Sequence, residues 1–350
     1  MLPKVSVIIP IYNVREYLEK AITSVVNQTF KELEIICVNN GASEEEALII
    51  NKFASEDSRI KVITFEQNQG YGKAVNAGIE SASGEYIAIL ESDDYINNNA
   101  FEELYLKAKE FNVDIIKSNY IALDGLFNKK GVDGASIPQN KIFTLLENAE
   151  LLSKHPSIWS CLYSREFLQR KNIKFKELKG TAWVDNPFQV ETLLKAASIL
   201  YIDEAYYNYR ILRPHSASTL EEGILVPMNA TQLVHEILES NKVESFEIFK
   251  QLAKREMAYI KEILSWMSFK NIKDAEKAVN YLFEIIGTNL DDDKKFLKLK
   301  KKYYKKSLVY SLITKNITNV FKKIFSLKIR KEYIRLVILS KTFLLRRDGK

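Results

Sequence analysis

The chain has 350 residues, of which 46% are hydrophobic and 27% charged, with a formal net charge of +6. This composition is typical of a folded globular protein and excludes a disordered or low-complexity chain. Two cysteines, Cys37 and Cys161, are too few for a disulfide framework, so we expect a reducing compartment. Residues 1–4 lack the features of a signal peptide, and no uncharged apolar stretch reaches bilayer length. The sequence therefore predicts a cytoplasmic protein.

The net charge is unevenly distributed along the chain. Residues 294–350 carry 19 Lys and Arg against Glu332 and Asp348, a net charge of +17 that leaves −11 for the rest. Apolar residues recur at helical spacing between these lysines, which predicts a helical extension resting on an anionic membrane surface, such as the inner face of the plasma membrane. Packing of the same residues against the catalytic domain or a second subunit is an equally open alternative.

The first 120 residues alternate short apolar runs with amphipathic stretches, a pattern typical of parallel strands joined by helices. The apolar stripe of the first predicted helix lies within residues 18–26. Later helices are expected at residues 44–55, 71–82 and 100–111. The predicted strands lie at residues 5–9, 33–38, 60–65 and 86–90. The sequence thus predicts an α/β fold with a doubly wound, mostly parallel sheet and helices on both faces, followed by a helical C-terminal extension.

The later part of the chain changes character twice. From residue 145 to about 210 it is irregular and rich in Trp, Tyr and Phe, as expected for a half that could bind an acceptor. After Pro227 it is long and helical. We therefore predict a catalytic domain at residues 1–224, divided near residue 122 into donor and acceptor halves, and a helical, basic region at residues 225–350.

Three carboxylates follow the fourth predicted strand, at Glu91, Asp93 and Asp94 around Ser92. Like charges this close repel one another, and burying them costs free energy. Oxygen ligands of this kind suit Mg²⁺ or Mn²⁺. The alternative is a solvated acidic turn that caps the next helix. The position favours a ligand site, because ligands bind at the carboxyl ends of parallel strands.

The order of several short motifs resembles the family 2 glycosyltransferases of the GT-A fold. The motifs are VSVIIPIYN at residues 5–13, NQTF at 27–30, NQG at 68–70 and SGEYI at 83–87. The acidic cluster at residues 91–94 falls where that family has its Asp-X-Asp motif. The resemblance extends to about residue 220.

This resemblance implies a metal-assisted, inverting transfer of a hexosyl or N-acetylhexosaminyl group. The donor would be a nucleoside-diphosphate sugar and the acceptor a hydroxyl of a bacterial surface glycan or lipid-linked intermediate, as in polysaccharide biosynthesis. It also implies that Asp93 ligates the metal directly, and Glu91, Asp94 and His215 are further candidate ligands. The residues that we expect at the donor are Pro10, Tyr12, Asn39, Asn40, Lys73, Glu91, Ser92, Arg210 and Arg213.

Two positions depart from the family's pattern. Glu91 stands where the family more often has Asp, which alters the expected metal geometry rather than metal use. Asn39 and Asn40 stand where the family usually has an Asp that binds the base of the nucleotide. An Asn carbonyl still accepts a hydrogen bond from uracil or guanine, so a UDP-sugar remains the expected donor.

Inverting transfer requires a general base near the acceptor hydroxyl. By resemblance Asp185 occupies the position of the family's catalytic Asp. Its alternative role is a helix N-cap, because Asp shortly before a first-turn Pro favours a helix start. The family often has an acidic residue just before this Asp; Val184 here removes that repulsion and should lower the pKa of Asp185.

Four other classes of protein are alternatives. A dinucleotide-dependent oxidoreductase and a sugar nucleotidyltransferase are both weak, because each should carry a Gly-rich loop after the first strand and residues 10–15 contain no glycine. Nucleic-acid binding through the basic tail does not explain the acidic cluster, so we expect no nucleic-acid partner. A relative that binds the donor without turnover is the fourth, because Asn39, Asn40 and Glu91 depart from the family. The oligomeric state stays open.

Overall fold

The computed structural model describes residues 3–123, 128–131, 134, 136–177, 183–211, 223–268, 271–290, 297–301, 304, 333–338 and 341–346. Ten strands of these residues form one sheet. They are β1 (Val5–Ile11), β2 (Leu33–Asn40), β3 (Ile60–Phe65), β4 (Tyr86–Ile89), β5 (Tyr95–Ile96), β6 (Ile115–Leu123), β7 (Asn128–Lys130), β8 (Ile142–Phe143), β9 (Cys161–Ser164) and β10 (Ile199–Arg210).

The sheet has the order β3-β2-β1-β4-β9-β6-β10-β5, with β7 beside β6 and β8 beside β10. Strands β3, β2, β1 and β4 are parallel, and so are β6 and β10. Strand β9 runs antiparallel between β4 and β6. All residues of β1, β2 and β4 are buried, which explains their high Val and Ile content. The predicted mostly parallel α/β sheet is confirmed.

Nine α-helices lie between residues 15 and 290 of the described part of the chain, and the four predicted ones begin and end within a few residues of their expected bounds. The helices are α1 (Arg15–Val26), α2 (Glu44–Glu56), α3 (Tyr71–Ser81), α4 (Ala100–Phe111), α5 (Arg165–Arg170), α6 (Asp185–Lys195), α7 (Val226–Ser240), α8 (Phe246–Trp266) and α9 (Ile272–Leu290).

Local sequence explains where the first helices begin. Ser43 and Glu46 form a capping box at the start of α2, which satisfies backbone N–H groups that have no partner within the helix. Glu46 Oε1 also accepts a hydrogen bond from Val14 N, at 2.5 Å, just before α1. Helix α1 buries Leu18 and Ile22 of its predicted apolar stripe. These contacts fix the two loops that follow β1 and β2.

Glu34 is a buried carboxylate between three parallel strands. It accepts hydrogen bonds from Ser6 Oγ at 2.6 Å, Lys61 Nζ at 2.5 Å and Ser83 Oγ at 2.7 Å. Burial alone would raise the pKa of Glu34, but these hydrogen bonds outweigh it and lower the pKa to about 2. The ionised form therefore stabilises the fold.

We expect Glu34→Gln to lower the free energy of unfolding at neutral pH by about 2 kcal/mol, the scale of a charged hydrogen bond. Because the folded-state pKa of Glu34 lies below its ordinary value of 4.5, this stabilisation is present above pH 4.5 and is lost as the pH falls towards 2. Urea titrations of both proteins at several pH values measure this. A difference in unfolding free energy that stays constant down to pH 2 would contradict the assigned role.

Helices α7, α8 and α9 build a second apolar core that includes Ile260, Ile263, Val279 and Leu282. No described helix is both long and apolar enough to cross a membrane. Both cysteines are buried and free, as the absence of a disulfide framework predicted. Burial raises the pKa of the Cys37 thiol to about 12, which makes this thiol unreactive.

The prediction of a helical C-terminal region holds for Val226–Leu290 and is wrong near the end of the chain. Strands β11 (Tyr333–Ile338) and β12 (Lys341–Arg346) pair as an antiparallel hairpin. Both segments are rich in β-branched and aromatic residues, which favour strands. The apolar clusters within residues 308–325, on which we based the membrane-facing helix, lie outside the described residues, and the membrane role stays a prediction. The domain boundary near residue 225 is likewise still a prediction.

Candidate functional site

The acidic cluster lies at the carboxyl end of the sheet, directly after β4. Ser92 Oγ donates a hydrogen bond to the Pro10 carbonyl at the end of β1, at 2.6 Å. Asp94 N donates to the Glu91 carbonyl at 3.0 Å, which closes a tight turn. The turn thus holds its three carboxylates beside the end of β1, at the predicted ligand edge.

Asp94 is fully buried, and its carboxylate forms hydrogen bonds within the protein. Its Oδ2 accepts a hydrogen bond from Tyr207 Oη at 3.0 Å, and its Oδ1 accepts one from Arg210 N at 2.8 Å. Burial raises the pKa of Asp94 well above its ordinary value, and the charge of Asp93 raises it further. Because both oxygens already hold the end of β10, we leave Asp94 out of the proposed metal ligands.

Arg210 supports the acidic turn. Its Nη1 donates a hydrogen bond to the Asp93 carbonyl. Its guanidinium carbon lies 5.1 Å from the ring centroid of Tyr17 and 5.0 Å from that of Tyr95, within the range of cation–π contacts. Arg210 therefore fixes the main chain of the turn. Two further candidates of the same loop, Arg213 and His215, lie outside the described residues.

Tyr71 is hydrogen-bonded to the acidic cluster and lies near Asp185. Tyr71 Oη donates a hydrogen bond to Glu91 Oε1 at 2.5 Å. The pKa of Tyr71 is raised first by burial, then by Glu91 and further by Asp185. Both carboxylates thus act on one hydroxyl. The structure brings Glu91 and Asp185, which are 94 positions apart in the sequence, to the same edge of the sheet.

Asp185 is the first residue of α6, and the N-cap of that helix is Val184. Asp185 is half-buried, and its Oδ1 accepts a hydrogen bond from Asn186 Nδ2 at 3.1 Å. Burial raises the pKa of Asp185, and the Arg255 cation opposes that rise. Val184 is therefore the N-cap of α6, and the Asp185 carboxylate also interacts with backbone N–H groups of the first helical turn.

Trp183 has a φ of 68° just before α6, in the left-handed region that a bulky residue rarely adopts. Its ring packs edge-on against Tyr259, with 4.5 Å between centroids. Strain of this kind persists only where surrounding contacts hold it, and it clusters at functional sites. The turn that presents Asp185 is held by α8.

Asn39 and Asn40, which were predicted to bind the base of the nucleotide, already form hydrogen bonds within the protein. Asn39 Oδ1 accepts a hydrogen bond from Ala42 N at 2.9 Å. Asn40 Oδ1 accepts one from Gln69 N at 2.9 Å, and its Nδ2 donates to the Gly70 carbonyl at 3.3 Å. Asn40 thus shapes the loop before α3 instead of offering free polar atoms.

The remaining donor candidates lie around the same edge. Tyr12, just after β1, is 46% exposed, which leaves its ring accessible for stacking on a base. Lys73 lies in the first turn of α3, and its Nζ donates a hydrogen bond to Gln69 Oε1 at 3.1 Å. Gly72 cannot be replaced without a clash, because an added Cβ would lie 2.3 Å from the Lys176 carbonyl.

Four residues of this site were missed in the sequence: Tyr71, Tyr207, Arg255 and Tyr259. Tyr207 had a weak signal, as it alternates with Tyr209 on a strand rich in tyrosine. Tyr71 is the first residue of α3 and directly follows the NQG motif at residues 68–70. Arg255 and Tyr259 had no signal in the sequence, because they lie in an ordinary amphipathic helix. Single-sequence patterns do not reveal such long-range partners.

The carboxylates at this edge of the sheet are suitable ligands for a divalent cation. Glu91 and Asp93 supply carboxylate oxygens, which Mg²⁺ and Mn²⁺ prefer. Their negative charge is part of what raises the pKa of Asp94, so a nearby positive charge would relieve repulsion. Within the described residues no three or more His, Cys, Asp or Glu side chains converge on one point. A metal here would therefore need oxygens from a substrate, as Mg²⁺ commonly does.

The chain is similar to known proteins of one family. The profile of "Glycosyl transferase family 2" matches residues 6–170. EpsJ of Bacillus subtilis, described as an uncharacterized glycosyltransferase, is 33% identical over 217 residues. That alignment covers 60% of this chain and 62% of EpsJ, so the chain spans less than two thirds of this relative. A Campylobacter jejuni GalNAc(5)-diNAcBac-PP-undecaprenol beta-1,3-glucosyltransferase is 28% identical over 97% of this chain and 94% of its own.

Among solved structures, S. aureus TarS 1-349 in complex with UDP has the same fold. Its TM-score is 0.65 at 19% sequence identity, and the match covers 99% of this chain and 98% of that one. The same protein in complex with UDP-GlcNAc gives a TM-score of 0.55. With the ordered motifs along β1 to β4, the acidic turn after β4, the matched residues 6–170 and glycosyltransferase relatives that are 30% identical and covered to 70% or more of their length, the chain belongs to glycosyltransferase family 2.

Proposed function

We propose that this protein is an inverting glycosyltransferase that moves a sugar from a UDP-sugar to a hydroxyl of a glycan or lipid-linked acceptor. The observation that carries the proposal is the position of Tyr71, which is hydrogen-bonded to Glu91 and acted on by Asp185. An acidic donor site and a candidate base therefore share one edge of the sheet. Metal-assisted inverting transfer uses a cation that stabilises the leaving diphosphate and a base at the acceptor hydroxyl.

The donor class is supported from two sides. Tyr12 is exposed beside the end of β1 and can stack on a base. The similar fold of TarS has been solved with UDP and with UDP-GlcNAc. The name of the Campylobacter jejuni relative supports a lipid-linked diphosphate acceptor and a hexosyl group.

In this mechanism Asp93 and Glu91 would hold a divalent cation. When bound, Mg²⁺ or Mn²⁺ would act as a Lewis acid that neutralises the charge of the departing nucleoside diphosphate. Ser92 and Arg210 fix the acidic turn against the ends of β1 and β10. The turn can therefore keep its position during the reaction.

Asp185 takes the proton from the acceptor hydroxyl as its oxygen attacks the anomeric carbon of the donor. The C–O bond to the acceptor forms on the face opposite the departing diphosphate, which inverts the configuration. A carboxylate whose pKa is raised by burial is a stronger base than an exposed one. The Arg255 cation opposes that rise in the pKa of Asp185.

A panel of UDP-, GDP- and dTDP-sugars tests the proposal. We expect Mn²⁺- or Mg²⁺-dependent hydrolysis of a UDP-sugar in the absence of acceptor, and its loss with EDTA. Release of the nucleotide, measured by chromatography, reports the reaction. Donor binding by calorimetry without any turnover would instead support a binding relative. Turnover of a GDP-sugar alone would refute the UDP assignment.

A further inference from the structure

Buried polar side chains join α8 to the helix that begins at Asp185. Tyr259 Oη donates a hydrogen bond to Asn186 Oδ1 at 2.6 Å, and Arg255 Nη1 donates one to Gln189 Oε1 at 2.6 Å. None of these four side chains is more than 8% exposed. Because Asn186 and Gln189 lie in the first two turns of α6, the contacts fix the position and rotation of the turn that carries Asp185.

The same connection continues into the sheet. Gln189 Nε2 donates a hydrogen bond to the Pro156 carbonyl at 3.1 Å. The buried amine of Lys117, on β6, donates to the same carbonyl at 3.2 Å and to Ser157 Oγ at 2.7 Å. Helix α8 is therefore tied through α6 to the central strands.

Arg255 is only 5% exposed, and its Nε finds no hydrogen-bond partner among the described residues. A buried guanidinium with an unused N–H costs free energy of folding. Among charged groups its cation has the largest effect on Asp185.

We propose that Arg255 and Tyr259 are positioning residues that hold and orient Asp185 through Gln189 and Asn186. They lie outside residues 6–170, to which the family profile matches. The proposal rests on the proposed role of Asp185 as the general base. It makes the helical C-terminal region part of the catalytic centre, although neither residue contacts the reacting atoms.

Other groups near Asp185 do not replace the Arg255 cation. The described tyrosines that interact electrostatically with Asp185 are Tyr71 of α3, Tyr163 of β9, Tyr209 of β10 and Tyr259 of α8. Burial raises the pKa of each of them, so all stay neutral near neutral pH. Removing the Arg255 cation should therefore raise the pKa of Asp185.

The test compares kcat as a function of pH for four variants of the full chain. We expect Arg255→Met to lower kcat about tenfold near neutral pH, the rate equivalent of one lost buried contact, and to move the acidic limb of the profile to higher pH. Tyr259→Phe should lower kcat by a similar factor and should leave the acidic limb of the pH profile nearly unmoved. Arg255→Lys keeps the charge and should keep the limb near its original pH.

Glu256→Gln is the matched control, because it removes a buried charge next to Arg255 on the same helix. Glu256 Oε1 pairs with His235 of α7, at 3.0 Å from Nε2, and not with α6. We expect it to alter the melting temperature without changing kcat or the acidic limb. The KM for the donor should be unchanged in all variants.

The outcomes separate the positioning role from the proposed function. If Arg255→Met and Tyr259→Phe keep the original kcat and pH profile while Asp185→Asn is inactive, the positioning role is wrong and the proposed base stands. If Asp185→Asn keeps full turnover, both are wrong. Should Arg255→Met fail to fold, Tyr259→Phe, which removes a single hydroxyl, decides by its kcat alone.

Discussion

Asp185→Asn is expected to lower turnover by about 10²-fold or more, the scale of a lost general base. The amide has nearly the same shape as the carboxylate, so α6 and its hydrogen bond with Asn186 should persist. It cannot accept the proton of the acceptor hydroxyl. Donor affinity should therefore change little. Single-turnover transfer and calorimetry with the UDP-sugar identified in the panel measure the two quantities.

The pH dependence of turnover in the original protein tests the same role of Asp185 as the base. Burial raises the pKa of Asp185 above its ordinary value of 3.8. Because the base works when deprotonated, turnover should fall as the pH falls through that raised pKa. The profile of Asp185→Asn should lack this limb.

The matched control for this variant is Glu191→Gln on the same helix. Glu191 pairs with Lys195 at 2.5 Å, one turn further along α6, and has no part in the proposed site. We expect full turnover. If Asp185→Asn behaves like Glu191→Gln, Asp185 is a structural residue and another group must take the proton.

The fold could be predicted from local signals because each signal reflects a local cause. Runs of Val and Ile predicted the buried strands, and the amphipathic stretches between them predicted the helices. The position of residues 91–94 followed from the rule that ligands meet the carboxyl ends of parallel strands. No knowledge of distant contacts was required.

The direction of each carboxylate in the cluster could not be predicted. Asp93 and Asp94 are neighbours of identical type, and only the structure assigns Asp94 to Tyr207 and to the backbone of Arg210. These partners lie more than 110 positions further along the chain. Side-chain direction depends on such long-range contacts, which residue spacing does not encode.

The link between α8 and the site was missed for a similar reason. Residues 246–266 have the spacing of an ordinary amphipathic helix, and in such a pattern Arg255 counts as a solvated charge. In the structure it is buried against α6. The hairpin at β11 and β12 was missed because apolar residues at helical spacing upstream were extended to the end of the chain.

Asp93→Ala is expected to lower transfer by about 10³-fold or more and to abolish the metal dependence of donor binding. A metal that neutralises a leaving diphosphate is worth several kcal/mol, and each 1.36 kcal/mol is tenfold in rate. The fold should persist, because Arg210 contacts the main-chain carbonyl of Asp93, which the variant keeps. Calorimetry with UDP, with and without Mn²⁺, measures the metal dependence directly.

Glu66→Ala provides the matched control for this variant. Glu66 is an exposed acidic residue that follows β3 at the same end of the sheet, but on the edge strand. It lies two strands away from β1, so its loss should leave turnover and the effect of Mn²⁺ unchanged. If Asp93→Ala keeps its activity, or if the metal still strengthens UDP binding in this variant, Asp93 is not the ligand. The metal would then have to be held by Glu91 and the donor alone.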